Sequence, residues 1–127
     1  MKFYVASSFK NVEVVREVAR KLRDRGFTQT YDWTENKDVT TYEQLRDIGE
    51  KEKEAIIESD CMVVIYPAGK GSHVELGIAL GLGKKIYLYS PDNEINNFNN
   101  TSTFYHLREV EKCSGTIEGL ISKIASE

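Results

Sequence analysis

A three-layer α/β/α fold, with a parallel sheet of about five strands in a single domain over residues 1–127, is what this sequence predicts. Two observations carry that reading. Short segments rich in β-branched and aromatic residues alternate with longer segments of helical periodicity along the whole chain, the pattern of repeated strand–helix–strand units. The run Cys61-Met62-Val63-Val64-Ile65-Tyr66 is apolar without alternation, as expected of a central strand covered on both faces.

Each element has its own signal. Lys2 to Ser7 is rich in β-formers and reads as the first strand. After a turn at Ser8-Phe9-Lys10, Asn11 is placed to cap a helix running to about Arg25, with Val12, Val15, Ala19 and Leu22 along one face. Gly26 is placed to end it. Phe27 to Tyr31 reads as the second strand, followed by a polar, irregular stretch from Asp32 to Thr40. Thr41 with Gln44 three residues on makes a capping box, and its helix extends to about Glu58, with a bend expected near Gly49. Cys61 to Tyr66 is the third strand, and His73 to Leu82 the third helix, stopped by Gly83. Lys85 to Tyr89 is the fourth strand, Ser90 to Thr103 an Asn-rich loop, and Phe104 to Cys113 contains the fifth strand. Thr116 to Ala125 closes the chain as an amphipathic helix. The resulting architecture is flavodoxin-like or Rossmann-like. Ligands of such sheets bind beyond the carboxyl ends of the strands, where the strand order reverses.

Composition narrows the function. Hydrophobic residues make up 40% of the chain and charged residues 29%, which is ordinary for a globular domain. A net charge of -3 argues against general nucleic-acid binding. No apolar run approaches the roughly 18 residues that span a bilayer. The start, Met1-Lys2-Phe3-Tyr4, runs straight into a strand pattern without a signal peptide, so a cytoplasmic protein is expected. Cys61 and Cys113 form no metal-ligand pair or redox motif, and no metal site or cofactor is expected.

The stretch Gly69-Lys70-Gly71-Ser72-His73-Val74-Glu75 follows the central strand and carries most of the chemistry. It reads as a Gly-rich turn leading into a helix. Backbone N–H groups at a helix start lack intrahelical partners and bind anions. Gly69 and Gly71 allow close approach, while Lys70 and Ser72 add a charge and a hydroxyl. Glu75 falls in the first helical turn on this reading, where the dipole favours its charged form. An anion cradle beside an ionised carboxylate suits chemistry at the anomeric carbon of a phosphorylated sugar. Glu75 could equally be a helix-start charge with no further role. Glu52 lies on the stripe of Leu45, Ile48, Ala55 and Ile56, where an apolar residue is expected. Either the stripe ends early and Glu52 is solvated, or a second carboxylate reaches the site to hold a proton or orient a base. Tyr4, Phe9, Trp33 and Tyr66, near strand carboxyl ends, are candidates to stack on a nucleobase, and Ser7 lies at the same edge. Trp33 is the foremost of them because it sits in the polar stretch Asp32-Trp33-Thr34. His73 is either a site acid or an exposed helix-start residue. Gly77 and Gly81, one helical turn apart, allow another backbone to approach, either the sheet or a second subunit.

These residues resemble the nucleoside 2-deoxyribosyltransferase-like family, including its 2'-deoxynucleoside 5'-monophosphate N-hydrolase branch, over most of the chain. Phe3-Tyr4-Val5-Ala6-Ser7 is similar to the family's first strand, with Tyr4 at its site tyrosine. Ser59-Asp60-Cys61-Met62-Val63-Val64 resembles the start of its central strand. Gly71-Ser72-His73-Val74-Glu75-Leu76-Gly77-Ile78-Ala79, followed by Gly83-Lys84-Lys85-Ile86, resembles its signature, in which Glu75 takes the place of the nucleophile. The family's acidic site residue stands eight positions before the strand's Asp, and eight before Asp60 is Glu52. The loop Pro67-Ala68-Gly69-Lys70-Gly71-Ser72 departs from the acid-rich loop of many transferases and looks more like the monophosphate hydrolase branch. The resemblance implies a metal-free N-glycosidase, or base-exchange transferase, acting on a (deoxy)nucleoside 5'-monophosphate, and a homo-oligomer, most simply a dimer. Two rivals remain open at this point: a TIR-like NAD-cleaving enzyme, which also uses a glutamate, and a non-catalytic nucleotide-sensing module.

Overall fold

The computed structural model describes residues 1–127. Five strands, β1 (Lys2–Ala6), β2 (Thr28–Gln29), β3 (Cys61–Ile65), β4 (Lys85–Tyr89) and β5 (Val110–Cys113), form one parallel sheet in the order β2-β1-β3-β4-β5. The connections are α1 (Val12–Asp24), α2 (Tyr42–Glu58) and α3 (Lys70–Gly81), with α4 (Ile117–Ser126) last. Helix α1 packs with α4, and α2 with α3, so each face of the sheet is covered by a pair. The fold class is the one expected from the alternation of strand and helix signals.

Chain order reverses between β1 and β3, which places the switch point of the sheet there. The two strands pair from Phe3 opposite Cys61 to Ala6 opposite Val64, and their residues are buried. Because strand side chains alternate, Phe3 and Val5 face one pair of helices while Tyr4 and Ala6 face the other. The positive-φ glycines Gly26 (φ 90°) and Gly83 (φ 70°) follow α1 and α3, a conformation that L side chains rarely adopt.

Several element limits differ from the sequence reading. The second strand covers only Thr28–Gln29 of the expected Phe27 to Tyr31, because it is an edge strand whose ladder meets β1 at Lys2 and Phe3 alone. Asn11 precedes α1 but makes no capping bond with its side chain, which is used across the fold instead. Gly49 does not interrupt α2, and the Thr41–Gln44 capping box is formed in both directions. Helix α3 begins three residues earlier than expected, at Lys70. Two glycines made that stretch look like a loop. A glycine costs a helix only about 1 kcal/mol, and burial of Ser72, Leu76 and Ala79 on the helix's inner face outweighs it. The connection from β4 to β5 contains no α-helix; it holds one-turn 3-10 helices at Glu94–Asn96 and Thr103–His106.

Candidate active site

Three side chains from three elements converge beside the switch point. The Tyr4 hydroxyl on β1 donates a hydrogen bond to Glu75 Oε2 of α3 at 2.5 Å, and lies 3.4 Å from Glu52 Oε2 of α2. Tyr4 is fully buried, and both carboxylates are half-buried. Glu52 therefore leaves the helix's outer surface and turns inward. The stripe does not end in solvent at Glu52; it is Leu45, earlier on the same stripe, that is exposed.

The corrected start of α3 changes the physics of Glu75. It stands in the second turn, with no acidic residue in the first. The dipole effect fades beyond the first turn, so Glu75 is neither a helix cap nor a carboxylate held ionised by the helix. Burial instead raises its pKa from 4.5 to about 8; the Tyr4 hydrogen bond pulls it down, and the Glu52 charge pushes it up. Burial also raises Glu52, against the hydrogen bonds from Glu75 and Tyr4 that lower it. Tyr4 is raised by burial and by the carboxylates beside it, so its hydroxyl is a donor and not an anion. Two carboxylates in one half-buried place resist being ionised together. The trio thus suits a pair of carboxyls that share one proton, with a phenol donating to Glu75.

The other candidates separate into groups. Gly69 is the N-cap of α3 in extended backbone, and Lys70, Gly71 and Ser72 form the first turn, so the cradle is made by the helix itself and not by a loop before it. Lys70 is exposed and Ser72 buried. The His73 ring meets the Gly69 carbonyl at 2.8 Å and the Tyr105 hydroxyl at 2.7 Å. Tyr66 is half-buried, edge-on to Tyr105. The Ser7 hydroxyl is committed within the fold: it donates to the Ile65 carbonyl at 2.8 Å and accepts from Asn11 Nδ2 at 2.9 Å. Trp33 is no open platform. It is 6% exposed, its indole N–H donates to the Val5 carbonyl at 2.7 Å, and Phe9 stands edge-on to it. An unmatched indole N–H in a core is costly, and β1 supplied the acceptor. Phe9 is the exposed member of that pair, at 70%.

Two residues escaped the sequence reading. Asn11 Nδ2 also reaches the Pro67 carbonyl at 3.0 Å, tying the β1–α1 connection to the β3–α3 connection. Its local signal as a helix cap masked that role. Tyr105 carried no signal at all, being one aromatic in an irregular segment. A cleft of about 480 Å³ opens at the carboxyl ends of β3 and β4, between Asn11, Val14, Tyr66, Pro67, Asp92 and Ile117. The trio does not line it. No group of three or more His, Cys, Asp or Glu side chains is arranged to hold a metal ion, and Cys61 and Cys113 are buried free thiols. No helix is long and apolar enough to cross a membrane.

Comparison with known proteins agrees with this fold. A CMP N-glycosidase of Clostridium botulinum, BcmB, superposes with a TM-score of 0.64 at 16% identity, over 98% of this chain and 99% of that one. A 2-deoxyribosyltransferase of Bacillus psychrosaccharolyticus superposes with a TM-score of 0.64 at 26% identity, over 78% of this chain and 79% of that one. A conserved protein of Enterococcus faecalis V583 gives a TM-score of 0.70 at 16% identity, over 99% and 98%. No curated protein matches the sequence at a significant level. The sequence profile of nucleoside 2-deoxyribosyltransferases matches residues 3–113, a span that includes all three residues of the trio, and the chain belongs to that family.

Proposed function

We propose that this protein breaks the N-glycosidic bond of a (deoxy)nucleoside 5'-monophosphate through Glu75, passing the sugar to water or to a second base. The observation that carries the reading is the Tyr4 hydroxyl held between Glu75 and Glu52. A single half-buried carboxylate at high pKa is inert until something stabilises its charge. Tyr4 does so at Glu75, and Glu52 beside it holds the displaced proton. A carboxylate of Glu75 attacks the anomeric carbon as the bond to the base breaks. The bonding electrons leave with the base, which takes a proton from Glu52, and a glycosyl ester remains on Glu75. The oxocarbenium character of the transition state is stabilised by the same carboxylate. Water then attacks the anomeric carbon and gives its proton to Glu52, and Glu75 leaves as a carboxylate, with net retention. The relatives' activities, CMP N-glycosidase and 2-deoxyribosyltransferase, belong to this class of chemistry.

The phosphate is assigned to the start of α3. Its first-turn N–H groups face no intrahelical acceptor, and Lys70 and Ser72 stand in that turn without a carboxylate among them. Screening nucleotides and nucleosides for free-base release tests the reading. Release from 5'-monophosphates, with weaker release from the unphosphorylated nucleosides and none from NAD, is the expected result. Lys70→Ala then raises KM for the phosphorylated substrate alone. Nucleotide binding without base release, unchanged in Glu75→Ala, would make the protein a sensor.

A further inference from the structure

The proposed activity leaves unused a chain of contacts that links the β4–β5 connection to the start of α3. The Gly69 carbonyl accepts the first backbone bond of α3 from His73 N–H at 3.1 Å and also faces His73 Nδ1 at 2.8 Å. A carbonyl only accepts, so Nδ1 carries the ring proton. In the neutral ring Nε2 then keeps a lone pair, and the Tyr105 hydroxyl, 2.7 Å away, donates to it. The contacts therefore dictate one tautomer and one direction, from Tyr105 through His73 to Gly69. The two rings lie stacked, with centroids 5.8 Å apart and planes at 19°. Tyr66, just before the α3 connection, closes on Tyr105 edge-on at 6.2 Å. Tyr105 is 3% exposed while its neighbours Phe104 and His106 are exposed, so it is the buried anchor of its segment.

We propose that Tyr105 is a positioning residue that fixes the first turn of α3 through His73, and so sets the affinity of the site for a substrate's 5'-phosphate. The choice of phosphate as the group held there rests on the function proposed above. His73 and Glu75 are two residues apart and point to different sides of the helix. Glu75 is held by Tyr4, independently of Tyr105. Removing the Tyr105 hydroxyl frees the imidazole, withdraws the side-chain bond to the N-cap carbonyl and loosens the donors at residues 70–72. The nucleophile stays in place. Substrate affinity is lost while the chemical step is spared, a split that general destabilisation does not produce.

The test uses the full chain. Long-range nitrogen–proton correlation of the wild type should show His73 protonated at Nδ1 and bare at Nε2, and Tyr105→Phe should convert it to a mixture of tautomers. Tyr105→Phe should raise KM for the 5'-monophosphate about tenfold, the cost of one hydrogen bond, with kcat within about twofold. KM for the free nucleoside should not move. Calorimetry with a nucleoside 5'-monophosphate on Glu75→Gln, with and without Tyr105→Phe, measures the same affinity without turnover. If the wild type releases no base, the proposed activity falls, and the tautomer with the calorimetric ratio still decides the role of Tyr105. A wild-type His73 protonated at Nε2, an unchanged affinity in Tyr105→Phe, or no nucleotide binding by Glu75→Gln overturns the inference.

Discussion

The Tyr4 hydroxyl has one proton and two carboxylates within reach, and the shorter contact chooses Glu75. That choice has consequences for pH. Glu75 must pass its proton to Glu52 to act, and burial keeps that one proton on the pair up to about pH 8. The basic limb of kcat/KM should therefore fall near 8, as an apparent value of the coupled pair, because above it no proton remains for the departing base. Tyr4 lowers the pKa of Glu75 and Glu52 raises it. Tyr4→Phe should thus move that limb to higher pH, and Glu52→Gln should abolish it together with most of kcat, since no acid is left for the departing base; a pH–rate profile of each variant checks both. Stability follows the same logic. An unfolded Glu75 loses its proton near 4.5, the folded one near 8, so between those values the folded state binds more protons and stability falls as pH rises. Glu75→Gln removes that penalty. With about 1.4 kcal/mol per tenfold change in proton affinity, and the charge shared with Glu52, it should stabilise the fold at pH 9 by on the order of 2 kcal/mol. Denaturant melts at pH 5 and pH 9 measure it; equal stability of the two proteins at pH 9 contradicts a buried, penalised carboxylate.

Helix α2 delivers Glu52, and its start is fixed by a complete capping box from Thr41 to Gln44. Thr41→Ala should cost about 1 kcal/mol, a fall in Tm of about 4 °C, with the position of the pH–rate limb unchanged, because the cap is remote from the carboxylates. The cap was legible in the sequence because it is local: two residues at fixed spacing make both bonds. The start of α3 was not legible, because it depends on what Ser72 and Leu76 are buried against. The same contrast runs through the site. Glu52 was visible as a carboxylate on an apolar stripe, and Glu75 through its signature. Trp33 looked available because its neighbours in sequence are polar, whereas the acceptor that buries it, the Val5 carbonyl, comes from another strand. Tyr105 has meaning only through His73, far away in sequence.

The whole molecule places Tyr4, Glu52 and Glu75 beside the reversal of strand order, where such sheets bind ligands. It also leaves part of the α2–α3 surface uncovered. Tyr42, Leu45, Val74 and Leu82 are exposed, and a Cβ built on Gly77 or Gly81 meets nothing within 4 Å. The two glycines therefore do not serve packing against the sheet, one of the two uses open to them in sequence. We expect this surface to pair with a second copy of the chain. Light scattering at tens of micromolar protein should give a dimer, and Gly77→Arg a monomer; a wild-type monomer removes the idea. The central claim, however, is covalent and concerns one side chain. Rapid acid quench of the enzyme with a 2'-deoxynucleoside 5'-monophosphate, followed by peptide mass spectrometry, tests it most directly. A deoxyribose-phosphate ester on Glu75, forming as fast as base is released and absent from Glu75→Gln, is the result this structure predicts. Base release by Glu75→Gln near the wild-type rate, or an ester on any other residue, would contradict it.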